Sequence, residues 1–400
     1  MAVTPVPSTP YECVCAVLDG RALDRLPFVT RLNLWHTGVL RSGTLPARFR
    51  DMTLPQLHCA LRVGEEKYVP AYGLRLHGVT VTARFRGQLI YRESAPLLTS
   101  FPALSELAVE NRPGTTEIEL ATAAGRLRVS WEALPEIVAT GTRSYKKDHL
   151  IKSAEDYHTV EHILERAEIV PQVEEYRREQ AMMDGYGLAI PMPGRIPFQQ
   201  AMLEYLGEIP LFYALHDEPA RVQSLLDMLD RQVVEVIHSL ADLGAPYVEF
   251  SDNLQGTMTN PRLFARYCLT AYQRYADLVH GIDSKLGSHT DGNLKPLLHL
   301  LPGSGLDVCE SFSPAPLTDL TLEEAWHAWR GKPIIWGGIP SPILEPATTE
   351  DQFRAYVDGL LDLVGAGPMI LGVADMILCN NSIDRVAYIA ERVEGQALSA

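Results

Sequence analysis

From about residue 185 onward, the chain alternates short apolar segments with longer amphipathic ones. Six of the apolar segments have the length of a strand: YGLAIP, PYVEFSD, KLGSHTD, LDVCES, PIIWGGI and MILGVAD. Apolar strands separated by helical stretches are typical of parallel βα units, whose sheets are buried on both faces. We therefore predict an α/β protein built as a single (β/α)8 barrel.

A different pattern occupies residues 73–134, in the N-terminal third. TVTARF, TEIELATA and RLRVSWEAL are short alternating segments separated by turns that contain glycine. They predict an antiparallel β region that is inserted into the barrel and peripheral to its core. Residues 1–10 are rich in proline, threonine and serine and are expected to be disordered. The barrel domain is thus predicted to cover residues 11–400.

Three local predictions concern the elements around the barrel segments. FVTRLNLW, from Phe28 to Trp35, has the composition of a strand. A helix is predicted over Ile151–Ala167, where Ser153 and Asp156 have the spacing of a capping box. Another helix is predicted over Leu294–Leu301, because leucines recur there at helical spacing.

Composition excludes several classes of partner. The 400 residues carry a formal net charge of −15, so no basic surface is expected for nucleic acid. No apolar stretch is long enough to span a bilayer, and the N-terminus lacks the features of a secretory signal. We expect a cytoplasmic protein without a membrane partner. Its six cysteines are scattered, which favours reduced thiols over a disulfide framework.

Ionisable residues stand at the ends of the predicted strands, where a parallel barrel carries its active site. They are Asp252, His289, Asp291, Glu310 and Asp375. Strands that are buried on both faces have no structural need for charged groups there, so the set favours a catalytic or metal site. The alternative is that Asp252 and Asp375 cap helices, and that His289 and Asp291 belong to a hydrogen-bonded turn.

From about Arg25 onward the chain resembles the uroporphyrinogen decarboxylase superfamily, which includes corrinoid-linked methyltransferases. The segments that carry the resemblance are, in order, LDRLPF, IKSAEDYHTVEHIL, PFQQAMLEYLGEIPLFYALHDEPARVQSLLDML, YVEFSDNLQGTMTNPRLFARYCLTAY, GSHTDGNLKPLLHLL, KPIIWGGIPSPIL and ILGVADMIL with DRVAYIAERVE. The resemblance implies a single (β/α)8 barrel, in agreement with the pattern of the strands.

The resemblance to true uroporphyrinogen decarboxylases is incomplete. Those enzymes carry Arg-Gln-Ala-Gly-Arg on an early strand, whereas this chain has Arg31-Leu-Asn-Leu-Trp-His36 with a single arginine. They also carry a Phe-Ser-Asp segment, but Phe250-Ser251-Asp252 lies on a much later strand. The carboxylates of a porphyrinogen would therefore lack their arginine partners, and a role in haem synthesis is not expected.

The methyltransferase branch resembles the chain better. Its zinc site has a His-x-Cys at one strand end and a cysteine on the last strand, and related methionine synthases add a glutamate. By position these ligands map to His289, Asp291, Glu310 and Asp375, so aspartates replace both cysteines. Such a set is harder than a thiolate site and suits a divalent metal, with Zn²⁺ as the first choice.

The resemblance implies an enzyme that cleaves or transfers a methyl group from a small methylated substrate towards a corrinoid. The corrinoid is expected on a separate protein, because the chain lacks an Asp-x-His-x-x-Gly motif. His289 would hold the metal, and Asp252 would orient the substrate or protonate the leaving group. In a metal-free site, Asp291 or Asp375 would donate a proton. The alternatives are a decarboxylase that uses Arg31 or Arg195, and a non-catalytic barrel that binds a small molecule.

Five further residues are candidates for the substrate pocket. Met192 and Arg195 lie in a loop after a predicted strand, and Trp35, His36 and Trp336 follow or occupy other strands. Met192 and the aromatic residues have an alternative role in packing. The oligomeric state is left open.

Overall fold

The computed structural model describes residues 8–23, 25–365, 367–374 and 376–396. The strands are β1 Glu65–Val69, β2 Tyr72–Leu76, β3 Thr80–Phe85, β4 Gln88–Ser94, β5 Leu97–Leu98, β6 Gly114–Ala121, β7 Arg126–Ala133, β8 Tyr145–Lys146, β9 Ala167–Pro171, β10 Gly187–Pro191, β11 Tyr247–Phe250, β12 Lys285–His289, β13 Val308–Phe312, β14 Ile334–Pro340 and β15 Met369–Ala374.

The helices are α1 Pro10–Leu18, α2 Asn33–Ser42, α3 Leu54–Leu61, α4 Pro135–Thr140, α5 Ala154–Leu164, α6 Val173–Met182, α7 Pro197–Gln200, α8 Glu208–Asp217, α9 Pro219–Ser239, α10 Pro261–Leu263, α11 Leu269–His280, α12 Leu322–Trp329, α13 Glu350–Val364 and α14 Ile383–Gln396. Segments of π-helix cover Ala201–Leu206 and Phe264–Cys268. Within the described residues, each helix is too short or too polar to cross a membrane.

The chain divides into two compact units. The first falls within residues 1–69, 176–192 and 244–400, and the second within residues 70–175 and 193–243.

The first unit contains the parallel strands. β11 to β15 form a sheet of five strands in sequence order, and every neighbouring pair is parallel. β10 pairs with β1 in a second parallel ladder. All six apolar segments that were predicted as strands therefore form parallel strands, β10 to β15. Their residues are buried without alternation, as expected for a sheet that is covered on both faces.

Further parallel contacts link these ladders. Phe28 forms a bridge with Leu371 of β15, Val29 forms one with Gly64, and β10 lies beside β11. This is the order that a closed ring of eight strands requires. Among the described residues no hydrogen-bonded ladder joins β10 to β11. The α/β class is therefore confirmed, and the closed (β/α)8 barrel stays a prediction.

The second unit contains the antiparallel strands. One sheet has the order β4-β3-β6-β7-β8 and the other has the order β5-β2-β9. Buried and exposed residues alternate along β7, as its sequence predicts. The antiparallel strands extend from Tyr72 to Pro171, well past the expected boundary at residue 134. Two strands lie past that boundary: β8 has only two residues, and β9 begins at Ala167, the last residue of the helix predicted over Ile151–Ala167.

Two other local predictions differ from the structure. The strand expected over Phe28–Trp35 consists of two isolated bridges, and α2 begins at Asn33. The helix expected over Leu294–Leu301 is replaced by two short 3-10 turns. Pro302 has no N–H to donate to the Leu298 carbonyl, which accepts a hydrogen bond from the indole of Trp329 instead.

The expected disorder at the N-terminus falls mostly on residues 1–7, which lie outside the described residues. Thr9 caps α1 through a capping box with Glu12, and Pro10 is already helical. The expected boundary at residue 10 is therefore too late by at least two residues.

Candidate functional site

Three ionisable side chains lie on one face of the parallel sheet in the first unit. His289 ends β12 and is paired with Glu310 of β13. Glu249 of β11 is paired with Gly287, two residues before His289. Since side chains alternate along a strand and paired residues share a face, Glu249, His289 and Glu310 point in the same direction.

The three side chains are close enough to share one ligand. Nδ1 of His289 lies 2.5 Å from Oε2 of Glu310 and 4.0 Å from Oε1 of Glu249. One ligand atom from each residue lies within 4.8 Å of the other two. Glu249 is fully buried, and its Oε1 has no hydrogen-bond partner among the described residues. Such an oxygen destabilises the fold unless it is protonated or binds a cation.

β1 adds two side chains to this group. The Tyr68 hydroxyl donates to Oε2 of Glu310 at 3.1 Å and lies 3.4 Å from Nδ1 of His289. Glu66, two residues earlier on the same face, has its Oε1 2.9 Å from Nε of Arg31. The Arg31 guanidinium also lies 4.0 Å from Oε1 of Glu310 and 5.0 Å from the centroid of the Tyr68 ring. We call this group the buried carboxylate cluster. It consists of Arg31, Glu66, Tyr68, Glu249, His289 and Glu310.

Gly287 leaves space for the side chain of Tyr247 beside the cluster. The Tyr247 hydroxyl donates to Oε2 of Glu249 at 2.9 Å. A Cβ atom at position 287 would lie 1.9 Å from that hydroxyl oxygen, so only glycine fits there. The Tyr247 ring also packs against Trp336, with ring centroids 5.7 Å apart.

The carboxylates of the cluster differ in their pKa values. Burial, reinforced by the charge of Glu310, raises the pKa of Glu249 well above its usual value. The same two causes raise the pKa of Glu66 to about 8. Burial would also raise the pKa of Glu310, but the charge and hydrogen bond of His289 lower it. Burial would lower the pKa of His289, and the charge of Glu310 raises it instead. His289 and Glu310 thus form an ion pair beside two carboxyl groups that favour their protonated state.

This arrangement fits a divalent metal. Glu249, His289 and Glu310 offer one imidazole nitrogen and carboxylate oxygens, which are donors that Zn²⁺ accepts. A bound cation would also provide a partner for Oε1 of Glu249, which has no hydrogen bond among the described residues. Of the predicted ligands, His289 and Glu310 belong to this group, and Asp375 lies outside the described residues.

Asp291 stands on the other side of the imidazole. Its Oδ2 lies 3.7 Å from Nε2 of His289 and accepts a hydrogen bond from Nδ2 of Asn253 at 3.1 Å. The side chain is 23% exposed, compared with 2% for Glu310. The structure therefore brings Asp291 to the solvent-facing side of the cluster, and its role as a metal ligand stays a prediction.

Asp252 lies on the opposite face of the sheet from His289. Its Oδ2 accepts hydrogen bonds from the hydroxyls of Tyr272 at 2.6 Å and Ser288 at 2.9 Å. Ser288 precedes His289 on β12, so the two side chains point in opposite directions. The hydrogen bonds of Asp252 are thus made on the face away from the imidazole, and its catalytic role stays a prediction. The two hydrogen bonds instead suit a positioning role between β12 and α11.

Arg195 belongs to the second unit, where it forms a buried ion-pair network. Its Nε lies 3.0 Å from Oε1 of Glu204, and Lys146 donates to the other oxygen of that carboxylate. Lys146 also lies 5.3 Å from the centroid of the Trp131 ring. The prediction that Arg195 binds substrate remains untested, and the observed contacts give it a structural partner.

The remaining pocket candidates lie in the first unit. Trp336 is buried in the core and donates to the carbonyl of Val29 at 3.2 Å. Trp35 is buried on α2 against Phe49, with centroids 6.3 Å apart. His36 is half-buried, and burial lowers its pKa. Met192 is half-buried directly after β10. Their contact with substrate stays a prediction, and both tryptophans have clear packing roles.

Sequence reasoning missed Glu66, Tyr68 and Glu249. A carboxylate inside the apolar run YVEF was the available signal for Glu249, because it interrupts a buried strand. Cys309, next to Glu310, points to the other face of β13. Burial raises the pKa of the Cys309 thiol. All six cysteines are free thiols, as expected.

Comparisons with known proteins add to this geometry. A model of the family described as uroporphyrinogen decarboxylase (URO-D) matches residues 210–396. A methyltransferase from Methanosarcina mazei aligns with a TM-score of 0.55 and 13% identity, over 98% of this chain and 100% of that chain. At this identity the likeness shows the fold alone.

Other matches are weaker. A xylose isomerase domain protein from Planctomyces limnophilus aligns with a TM-score of 0.32 and 11% identity, over 57% of this chain and 83% of that chain. This score supports no inference. No curated protein sequence matches the chain significantly.

Proposed function

We propose that this protein is a metal-assisted methyltransferase, because residues 210–396 match the uroporphyrinogen decarboxylase family model and the chain carries a group of buried metal-binding side chains. Its substrate is a small methylated compound, and the methyl group leaves towards a corrinoid carried by another protein. The fold shared with the Methanosarcina mazei methyltransferase is consistent with this proposal. The observation that carries it is the group Glu249, His289 and Glu310, which is buried at adjacent strands of the parallel sheet.

The residues of the cluster have distinct tasks in this proposal. Glu249, His289 and Glu310 hold the metal, which when bound supplies a Lewis acid that withdraws electron density from the heteroatom bearing the methyl group. Tyr68 holds Glu310 in place through the hydrogen bond described above. When the methyl–heteroatom bond breaks, its electron pair stays on the heteroatom, which then needs a proton. Asp291, on the exposed side of His289, is positioned to transfer that proton.

The proposal is tested by methyl transfer to a reduced corrinoid. The purified chain is loaded with Zn²⁺ and incubated with a panel of methyl ethers, methylamines and methyl thioethers, and the corrinoid spectrum is followed. Methylation that requires both the metal and His289 supports the proposal. A Zn²⁺-loaded protein that transfers no methyl group from any member of the panel argues against it.

A decarboxylase is the second candidate, and Arg31 favours it. The Arg31 guanidinium lies within the cluster, and the side chain as a whole is 21% exposed, so an organic acid could bind there through its carboxylate. Under this alternative, CO₂ is released without any corrinoid, and His289→Ala keeps measurable activity while Arg31→Gln loses it. Release of CO₂ from an organic acid under these conditions would replace the methyltransferase proposal.

A further inference from the structure

Glu66 is a buried carboxylate that the three-residue metal group does not include. Its side chain is 5% exposed. One oxygen pairs with Arg31 at 2.9 Å, whereas Oε2 is buried and has no hydrogen-bond partner among the described residues. Because Glu66 and Tyr68 are two residues apart on β1, they share a face, and Tyr68 contacts both Glu310 and His289. Glu66 therefore faces the proposed metal site.

The cluster has too little positive charge for its carboxylates. Glu66, Glu249 and Glu310 are all buried, and the cations within the cluster are Arg31 and, when protonated, His289. Two of the carboxylate oxygens, one on Glu66 and one on Glu249, are without a hydrogen-bond partner among the described residues. Buried carboxylates with orphaned oxygens are stable only when protonated or when a cation binds them.

Arg31 occupies a position that a metal ion could share. Its guanidinium lies between two carboxylates, 2.9 Å from Glu66 and 4.0 Å from Glu310. Glu310 is also a member of the proposed metal group. A metal bound by Glu310 would thus compete with Arg31 for the same negative charge, and would draw Glu66 by the same attraction.

We propose that Glu66 is a further ligand of the metal centre and that Arg31 substitutes for part of the metal's charge in the metal-free protein. This inference rests on the proposed function, because it assumes the metal that the function requires. It adds a fourth protein ligand, from β1, to the residues of β11, β12 and β13. The competing explanation is that Glu66 and Arg31 form a structural ion pair with no part in metal binding.

The test is Zn²⁺ affinity, measured on the full untagged chain by competition with a chelating dye. Glu66→Gln keeps the size of the side chain and removes its charge, and it should weaken Zn²⁺ binding by about tenfold or more. Glu65→Gln is the matched control, since Glu65 is the neighbouring buried glutamate and points to the opposite face of β1. It should leave the affinity within about twofold. Co²⁺ absorption gives a second readout, because loss of a ligand changes the spectrum in Glu66→Gln but not in Glu65→Gln.

Arg31→Met provides the complementary variant. Removing the competing cation should tighten Zn²⁺ binding and lower the melting temperature of the metal-free protein, and added Zn²⁺ should restore that temperature. Unchanged Zn²⁺ affinity and Co²⁺ spectrum in Glu66→Gln would overturn this inference alone. A wild-type protein that binds neither metal would overturn the inference together with the metal-assisted function.

Discussion

Replacing Glu204 with glutamine should strongly destabilise the second unit. The Glu204 carboxylate is 9% exposed and is the partner of two cations, with Arg195 Nε at 3.0 Å and Lys146 at the other oxygen. Glutamine keeps the volume of the side chain but removes the negative charge that pairs with these two half-buried cations. Breaking a buried ion pair by removing one partner costs about 3–5 kcal/mol, and we expect a loss in that range.

The pH dependence of this loss follows from the pKa of Glu204. Burial alone would raise that pKa, but the charges of Lys146 and Arg195 outweigh burial and lower it. A carboxylate with a lowered pKa stabilises the fold fully above its unfolded-state value, and this contribution is lost as the pH falls through the folded-state pKa. The stability difference between the wild type and Glu204→Gln should thus be constant around neutral pH and shrink below about pH 4.5.

Urea unfolding followed by circular dichroism between pH 3 and pH 8 measures this difference. Glu119→Gln is the matched control, because Glu119 also pairs with two arginines, Arg126 and Arg128, but at an exposed surface of the same unit. Solvent screens that network, so the control should change stability far less. A loss in Glu204→Gln no larger than that of the control, or one that persists unchanged at pH 3, would refute the reasoning.

Two other substitutions test the geometry of the site. Gly287→Ala places a methyl group 1.9 Å from the Tyr247 hydroxyl oxygen, so it should displace that ring, cost about 1–3 kcal/mol in urea unfolding and weaken Zn²⁺ binding. Tyr247→Phe, which keeps the ring without the hydroxyl, should be the milder change. Asp252→Asn should leave Zn²⁺ affinity unchanged, because Asp252 binds Tyr272 and Ser288 on the opposite face of β12. Loss of metal in this variant would contradict the assignment of faces.

The parallel strands could be predicted because each is a continuous apolar run buried on both faces. LDVCES and MILGVAD are examples, and they correspond to β13 and β15. β1 has the sequence EEKYV and could not be recognised by the same criterion. Its polar residues form a strand because they pair with the apolar β10, about 120 residues away, and that partner is not visible locally.

The site was predicted in part for a related reason. His289 was found because it ends a recognisable strand, and Glu310 was found because its strand was expected to end near it, although β13 continues to Phe312. Glu249 lies inside its strand. The prediction relied on the residues that follow each strand, and it therefore selected Asp252 instead. Whether Glu249 points to the same face of the sheet as His289 depends on the register between β11 and β12. That register pairs Glu249 with Gly287.

The helix predicted after β12 shows the limit of periodicity. Leucines recur at helical spacing from Leu294 to Leu301, yet the segment forms two short turns. The carbonyl of Leu298 accepts a hydrogen bond from Nε1 of Trp329 at 2.9 Å, so a residue of α12 takes the place of a helical donor. Pro302, at the position that would donate to this carbonyl in a helix, has no N–H, and the spacing of the leucines does not take this into account.

Metal content is the most direct test of the metal-assisted site. The untagged chain, purified without chelators, should contain a stoichiometric divalent metal by mass spectrometry of the digested protein, or should take up Zn²⁺ to that level. His289→Ala should lose the metal while remaining folded, and His299→Ala, which changes an exposed histidine of the same segment, should retain it. A wild-type protein that neither contains nor binds metal, or a His289→Ala variant that keeps its metal, would contradict the proposed role of Glu249, His289 and Glu310.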